Sequence, residues 1–181
     1  MTIYIALLRG INVGGNNIIK MKDLKKMFFN MGIKKVETYI QSGNIVFQSD
    51  NAAEKLQSLI HEEIKNTFGF SVPVILRTAA EWNEVMRNCP YQEDLKEGES
   101  IHLTLLDKEP LIEVIEQLLR FKSESEECYI RGKDVYLYLR KSILDSKISN
   151  QLQKLKVPVT SRNWKTIKKL EAMIYNMEKP S

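Results

Sequence analysis

The chain has 181 residues, enough for one domain or two small fused ones, and its 43% hydrophobic and 28% charged residues are typical of a globular protein. No apolar run approaches the ~18 residues of a membrane-spanning helix, and the N-terminus lacks the basic flank and apolar stretch of a signal peptide. We therefore expect a cytoplasmic protein that makes no membrane contact. Cys89 and Cys128 stand in no C-x-x-C or metal-binding pattern, so we expect reduced thiols.

The net charge of +4 hides a segregation of charge along the chain. Residues 1–80 carry ten Lys and Arg against six Asp and Glu, residues 81–128 carry five against thirteen, and residues 129–181 carry twelve against four. This pattern has two interpretations. The charges are either solvated helix faces that partly neutralise one another, or they include a basic face that attracts a polyanion.

The first half of the chain follows the order βαββαβ. Its apolar residues alternate in the strands and recur every three to four residues in the helices. The predicted elements are a strand at 3–8, a helix at 21–31, strands at 36–41 and 44–49, a helix at 52–67 and a strand at 72–77. Gly32 is expected to cap the first helix, and the hairpin is expected to turn at Gly43-Asn44.

The second half reads as a degenerate copy of the first. Its predicted elements are a strand at 101–106, a helix at 111–121, a hairpin of 128–131 and 135–139 turning at Gly132-Lys133, a helix at 147–155 and a short strand at 158–160. Val-Pro-Val closes each half, at Pro73 and Pro158. After the first half, Thr78 and Glu81 form the capping box of a connecting helix. We therefore divide the chain into 1–77, the first half, and 78–181, the connecting helix, second half and C-terminal helix.

The loop after the first strand is rich in Gly and Asn, from Arg9 to Asn17. Glycines let backbone N–H groups converge, and a helix start adds the positive end of its dipole, so this arrangement suits an anion. Asn16 and Asn17 replace the Lys and Ser/Thr of a nucleotide-triphosphatase loop, so that activity is excluded. The loop is therefore an anion site or a structural crossover.

Three segments resemble the signatures of a bacterial family called domain of unknown function 1697. They are LLRGINVGG at 7–15, TYIQSGNIVF at 38–47 and TSRNWKT at 160–166. The resemblance runs nearly end to end. It implies two fused ferredoxin-like halves, and it implies no reaction because the family's biochemical role is not established.

The third of these segments is interpreted as the start of the terminal helix. Thr160 or Ser161 caps it, and Arg162 and Asn163 occupy its first turn. A cation there faces the positive end of the helix dipole, which costs ~0.3–1 kcal/mol. Either a ligand phosphate or a carboxylate of the protein would offset that cost, and the sequence favours neither.

Catalytic patterns are absent from the sequence. His61 reads as a solvated helix residue, and His102 lies on the strand face opposite Ile101 and Leu103, so neither defines a reaction. No metal site and no cofactor is predicted. The βαββαβ order is shared with the RNA-recognition motif, but Asn44 and Val46 stand where that module needs aromatic rings, so sequence-specific RNA binding is not expected.

The sequence thus predicts an α+β fold of two fused ferredoxin-like (βαββαβ) halves with antiparallel sheets and an added C-terminal helix. Our leading functional hypothesis is a site for a small anionic, phosphate- or nucleotide-like ligand. The alternative is a nucleic-acid or protein-binding module that uses the basic C-terminal surface, with non-specific nucleic acid as a possible partner. The predicted ligand contacts are Arg9, Asn12, Gly14, Gly15, Lys20, Ser42, Gly43, Asn44, Arg162, Asn163 and Lys169.

Overall fold

The computed structural model describes residues 1–180 and divides into two compact units. The first unit comprises Met1–Glu84 together with the segment from Lys169 onward, and the second comprises Val85–Lys168. The strands are β1 (Thr2–Leu8), β2 (Val36–Tyr39), β3 (Asn44–Ser49), β4 (Val74–Thr78), β5 (Ser100–Leu106), β6 (Glu126–Arg131), β7 (Asp134–Leu139) and β8 (Val159–Asn163). The helices are α1 (Met21–Asn30), α2 (Ala53–Phe68), α3 (Ala79–Arg87), α4 (Ile112–Leu119), α5 (Lys147–Gln153) and α6 (Trp164–Glu178), with a 3₁₀ turn at Ile143–Asp145.

Each unit contains one four-stranded antiparallel sheet. The strand order is β2-β3-β1-β4 in the first sheet and β6-β7-β5-β8 in the second. In both sheets the first strand of the half, β1 or β5, is an inner strand, and the last strand of the half, β4 or β8, lies at the edge beside it. The predicted α+β fold of two ferredoxin-like halves is therefore confirmed, as is the equivalence of the two closing strands.

Two backbone hydrogen bonds recur at equivalent places in the two sheets. Leu8 N–H donates to the Gly43 carbonyl at 2.9 Å, and Leu106 N–H donates to the Lys133 carbonyl at 2.8 Å. At the next residue, Arg9 N–H and Asp107 N–H donate to the carbonyls of the two Val-Pro-Val segments, Pro73 at 3.1 Å and Pro158 at 3.0 Å. Because the Pro residues lie just before their edge strands, they leave the ladders intact.

Two helices of each unit cover one face of its sheet, α1 and α2 in the first unit and α4 and α5 in the second. In the first unit, side chains such as Leu24, Phe28 and Ile60 pack with Tyr4 and Phe47 into one apolar core. In the second unit, residues of α4 and α5 pack on β7 in the same way. Gly32 has a φ of 84° after α1, and the Thr78–Glu81 capping box opens α3 at 2.7 and 3.1 Å, both as predicted.

Two predicted boundaries are wrong. The first hairpin does not turn on Gly43-Asn44 alone, because β2 ends at Tyr39 and four residues, 40–43, form the connection. The terminal helix begins at Trp164, and the preceding residues to Asn163 continue strand β8, paired with β5. The sequence of this segment permits a cap, but its pairing with the distant β5 extends the strand instead.

Both cysteines are free thiols, with Cys128 buried. Among residues 1–180, no helix has the combination of length and apolar character that would let it cross a membrane.

Candidate functional site

Asn12 holds the glycine-rich loop closed through its side chain. Its Nδ2 donates to the carbonyls of Ile19 at 2.9 Å and Gln41 at 2.7 Å, and its Oδ1 accepts from Ile19 N–H at 2.9 Å. The Asn17 amide likewise donates to the Gly10 carbonyl at 3.1 Å. These amides satisfy backbone groups of the protein, so they serve the shape of the loop.

Gly14 and Gly15 form the tip of this loop as a tight turn. Their φ angles are 57° and 77°, and Asn16 N–H donates to the Val13 carbonyl at 3.0 Å, the pattern of a type I′ turn. Both glycines are exposed. Helix α1 begins only at Met21, so the glycines are separated from the helix start and the junction differs from that of a phosphate loop. Lys20, the exposed residue before α1, makes no side-chain cap there.

The second motif packs against this loop. Asn44, fully buried, donates from Nδ2 to the Tyr39 carbonyl and to Ser42 Oγ, both at 2.9 Å. A Cβ on Gly43 would lie 2.8 Å from Leu8 Cβ, so only glycine fits there. The structure therefore brings the first two motifs together, through the close approach of Gly43 to Leu8 and through the hydrogen bond from Asn12 to the Gln41 carbonyl.

The remaining predicted contacts divide between the two units. Arg9, half-buried at the end of β1, lies with the loop residues in the first unit, as does Lys169 on α6. Arg162 and Asn163 belong to the second unit. The prediction that these two residues occupy the first turn of the terminal helix is wrong, because both lie on β8. Asn163 is the cap itself, since its Oδ1 accepts from Thr166 N–H at 2.9 Å.

The Arg162 guanidinium is held by groups of its own strand. Nη1 donates to Thr160 Oγ1 at 2.7 Å and to the Ser161 carbonyl at 2.9 Å. Burial lowers the pKa of Arg162 to about 10, so the side chain is charged at neutral pH. Arg162 therefore does not face the positive end of the helix dipole. The reason for expecting an anion at this position is removed.

The face of the first sheet away from the helices offers no platform for nucleic-acid bases. Ile5, Leu7, Val46 and Ile75 on that face are fully buried. Tyr4, the aromatic residue of β1, is in the core on the helix side. This arrangement agrees with the missing aromatic positions in the sequence and argues against RNA recognition in the manner of the RNA-recognition motif.

His102 and the acidic residues form no evident catalytic or metal centre. His102 Nε2 lies 2.9 Å from Ser100 Oγ, and burial lowers the pKa of the imidazole, which favours its neutral form. Within residues 1–180, no cluster of three or more His, Cys, Asp or Glu side chains is arranged to hold a metal ion.

A groove of about 780 Å³ lies in the first unit beside β2. Its rim carries five lysines and one acid, Glu37, while Phe29, Val36, Met173 and Met177 supply apolar surface. The five lysines are Lys25, Lys34, Lys35, Lys169 and Lys179. The volume falls within the range of ligand pockets, and we refer to this feature as the lysine groove.

Tyr39 connects the lysine groove to the second motif. The Lys169 ammonium lies 5.9 Å from the centroid of the Tyr39 ring, a cation–π distance. The Tyr39 carbonyl accepts the Asn44 amide, and so the Ser42–Asn44 turn fixes the residue that Lys169 covers. Of the eleven residues predicted from the sequence, Lys169 is the one that lines this groove.

Sequence reasoning missed the other four lysines of the groove. They come from α1, from the two residues before β2 and from the segment after α6, and no motif contains them. The signal that the sequence does carry is the excess of basic residues in both the first 80 and the last 53 positions. That excess indicates a basic face without saying which lysines share it.

Comparison with known proteins gives a family and a structural neighbour. The model of a family described as "Protein of unknown function (DUF1697)" matches residues 1–136, a range that includes the first two motifs and ends before the third. The solved structure of a conserved bacterial protein from Streptococcus pneumoniae is similar, with a TM-score of 0.76 and 28% sequence identity over 96% of this chain and 98% of that one. No curated protein matches the chain significantly.

Proposed function

This chain belongs to DUF1697, a family of proteins of unknown function, and we propose that it binds an anionic ligand, bearing phosphate or carboxylate groups, in the lysine groove. The observation that carries the proposal is the concentration of five lysines and a single acid around one concave surface. Anions are attracted most strongly where several cations converge on a partly enclosed surface, because such clefts concentrate the electrostatic field. The predicted cytoplasmic location is part of the same proposal.

The charges of the groove are only partly used by the protein. Lys25 is paired with Glu37 at 3.2 Å, so the one acid of the rim is already neutralised. Lys34, Lys35 and Lys169 are exposed, and Lys169 is oriented by the Tyr39 ring. A ligand anion would find an excess of positive charge and an aromatic side chain that limits the motion of one ammonium group.

Titration with inorganic tripolyphosphate by calorimetry tests this proposal. The variant K34Q/K35Q/K169Q should weaken binding by at least about tenfold, because each surface cation near a bound anion contributes roughly 0.5 kcal/mol or more. The matched control is K154Q/K156Q/K165Q, which removes the same three charges from exposed positions of the second unit. Equal losses in the two variants would reduce the effect to net charge and refute the site.

The same titration also tests whether the glycine-rich loop contacts the ligand. If Arg9 and Lys20 contact the ligand as the sequence predicts, R9Q/K20Q should weaken tripolyphosphate binding as much as the groove variant does. If the groove alone binds it, affinity should stay within about twofold in this variant, since these charges would act only at long range.

A further inference from the structure

We infer that the occupant of the lysine groove is an acidic segment of another protein, bound in extended conformation as a fifth strand of the first sheet. This inference rests on the proposed anion binding and adds the class of partner. Three observations carry it: the free edge of β2, the direction of its backbone groups, and the charge and apolar surface beside that edge.

Strand β2 is the edge strand of the first sheet. It pairs with β3 on one side, and no strand of residues 1–180 pairs with its other side. The lysine groove runs along this edge and is lined by all four residues of β2, Val36–Tyr39. The groove therefore lies against the unpaired edge of β2, where strand addition would take place.

The register of the hairpin fixes which backbone groups point into the groove. The Lys35 carbonyl accepts from Gln48 N–H at 3.2 Å, and β2 continues the same register with Val36 opposite Phe47. Hydrogen-bonded and non-hydrogen-bonded pairs alternate in an antiparallel ladder. The N–H and C=O groups of Val36 and Thr38 therefore point away from β3. Thr38 is half-buried and Val36 is 3% exposed, so an incoming strand would pair with Thr38 first.

The side chains around the edge define the sequence that would fit. Lys34 and Lys35 lie directly before β2 and Lys169 beside its end at Tyr39, so charges line the length of the edge. Phe29, 51% exposed, and Met177 offer apolar contacts on the same groove. Because side chains of a strand alternate, a segment of alternating acidic and apolar residues matches this surface.

A single-stranded nucleic acid fits the same edge less well. Phosphates could contact the lysines, but they offer no regular donors and acceptors for the backbone groups of Val36 and Thr38. Base stacking stabilises such complexes where aromatic faces are open, whereas the Tyr39 ring already has Lys169 over it. We therefore argue for a protein strand, and nucleic acid is one outcome of the test.

The test is fluorescence anisotropy with a labelled peptide of alternating Glu and Val and two N-methylated versions of it. One version is methylated at the Glu residues and the other at the Val residues, so all three carry the same charge. Successive N–H groups of a strand point to opposite edges, and only one of the methylated versions loses the groups that face β2. That version should bind at least about tenfold more weakly, and the other within about twofold.

A substitution in β2 tests the same hydrogen bonds by changing the protein instead of the peptide. Thr38→Pro removes an N–H that faces the groove, a position where an edge strand tolerates proline, and it should weaken the peptide while tripolyphosphate binding stays within about twofold. The melting temperature of the variant shows whether it folds. If it does not fold, the methylated peptides alone test the strand inference.

The outcomes separate the inference from the proposed function. If tripolyphosphate binds at the lysine groove but both methylated peptides bind like the parent, the strand inference is overturned and the anion site stands. The strand inference is likewise overturned, and the anion site stands, if an oligonucleotide of equal charge binds and the parent peptide does not. If neither tripolyphosphate nor the peptide binds, the proposed function fails as well.

Discussion

Arg77 and Arg162 occupy equivalent positions in the two sheets. Each is the fourth residue of its edge strand, β4 or β8, which lies beside the first strand of its half, β1 or β5. Each donates from Nη1 to the carbonyl of the residue before it, Leu76 at 3.1 Å and Ser161 at 2.9 Å. The same side-chain bond therefore occurs at the same strand position in both halves.

We expect Arg162→Ala to lower the free energy of unfolding by about 2–3 kcal/mol, because it removes charge-assisted hydrogen bonds to Thr160 and Ser161. Urea unfolding measures the change, and Lys165→Ala, at an exposed site on α6, should stay within about 0.5 kcal/mol. Unchanged stability in Arg162→Ala would contradict the structural role and restore Arg162 as a ligand contact.

We expect Gly43→Ala to destabilise the protein by about 2–4 kcal/mol. The added Cβ would meet Leu8 Cβ at 2.8 Å and Ile11 Cδ1 at 2.9 Å, and the φ of 85° disfavours any side chain. Gly14→Ala is the matched control, since its φ is also positive but nothing lies within 4 Å, and it should cost about 1 kcal/mol. Thermal unfolding of the two variants compares them, and equal losses would show that steric exclusion at Gly43 is unimportant.

We expect Asn12→Ala to cost about 1–3 kcal/mol, because three side-chain hydrogen bonds that close the loop are lost. Asn16→Ala, in the same loop and exposed, should have little effect. Hydrogen exchange of the Ile19 amide is the most direct measurement, since this N–H donates to Asn12 Oδ1. Unaltered protection of Ile19 in Asn12→Ala would refute the assignment.

Glu126 should make the stability of the protein depend on acid pH. Burial alone would raise the pKa of this carboxyl, but hydrogen bonds from Ser146 and Lys141 and from the N–H groups of Ile148 and Lys147 outweigh it and hold the pKa below its usual range. A lowered folded-state pKa stabilises the folded protein above the unfolded-state value of about 4.3, and this contribution is lost as the pH falls through the folded-state pKa.

Glu126→Gln tests this dependence. The variant should lose about 2–3 kcal/mol at pH 7, because the carboxylate accepts bonds from a cation and from the start of α5. The difference from the parent should shrink as the pH falls below the unfolded-state value of about 4.3 and through the lower folded-state pKa, because the parent then loses the charge as well. Urea unfolding at pH 7 and pH 3 measures the loss of stability at each pH. A loss that is the same at both pH values would contradict the explanation.

Local patterns were sufficient to predict most of the fold. The apolar faces of α1 and α2, the capping box at Thr78 and the turn at Gly132 are each encoded by residues close together in the chain. Strand β8 was predicted too short because its length depends on pairing with β5, which is about 55 residues away, whereas Thr160 and Ser161 carry the local signal of a helix cap.

The candidate site was less predictable for the same reason. Asn12 and Asn44 were selected as ligand contacts because amides are useful in sites, but the backbone carbonyls that occupy them become neighbours only in the fold. Lys25 and Lys179 carry no motif, and only the folding of the last residues beside β2 places them on one groove. Lys169 lines the same groove and was selected from the sequence because it lies near a motif, so its role as a ligand contact stays a prediction.

The division of the first unit between the two ends of the chain gives its assembly an order. A ribosome releases residues 1–84 first, then all of the second unit, and only then the segment from Lys169 onward that forms one wall of the lysine groove. Domains fold as they emerge during synthesis. The free edge of β2 is therefore exposed without that wall while the second unit is being made, and the nascent protein acquires its groove last.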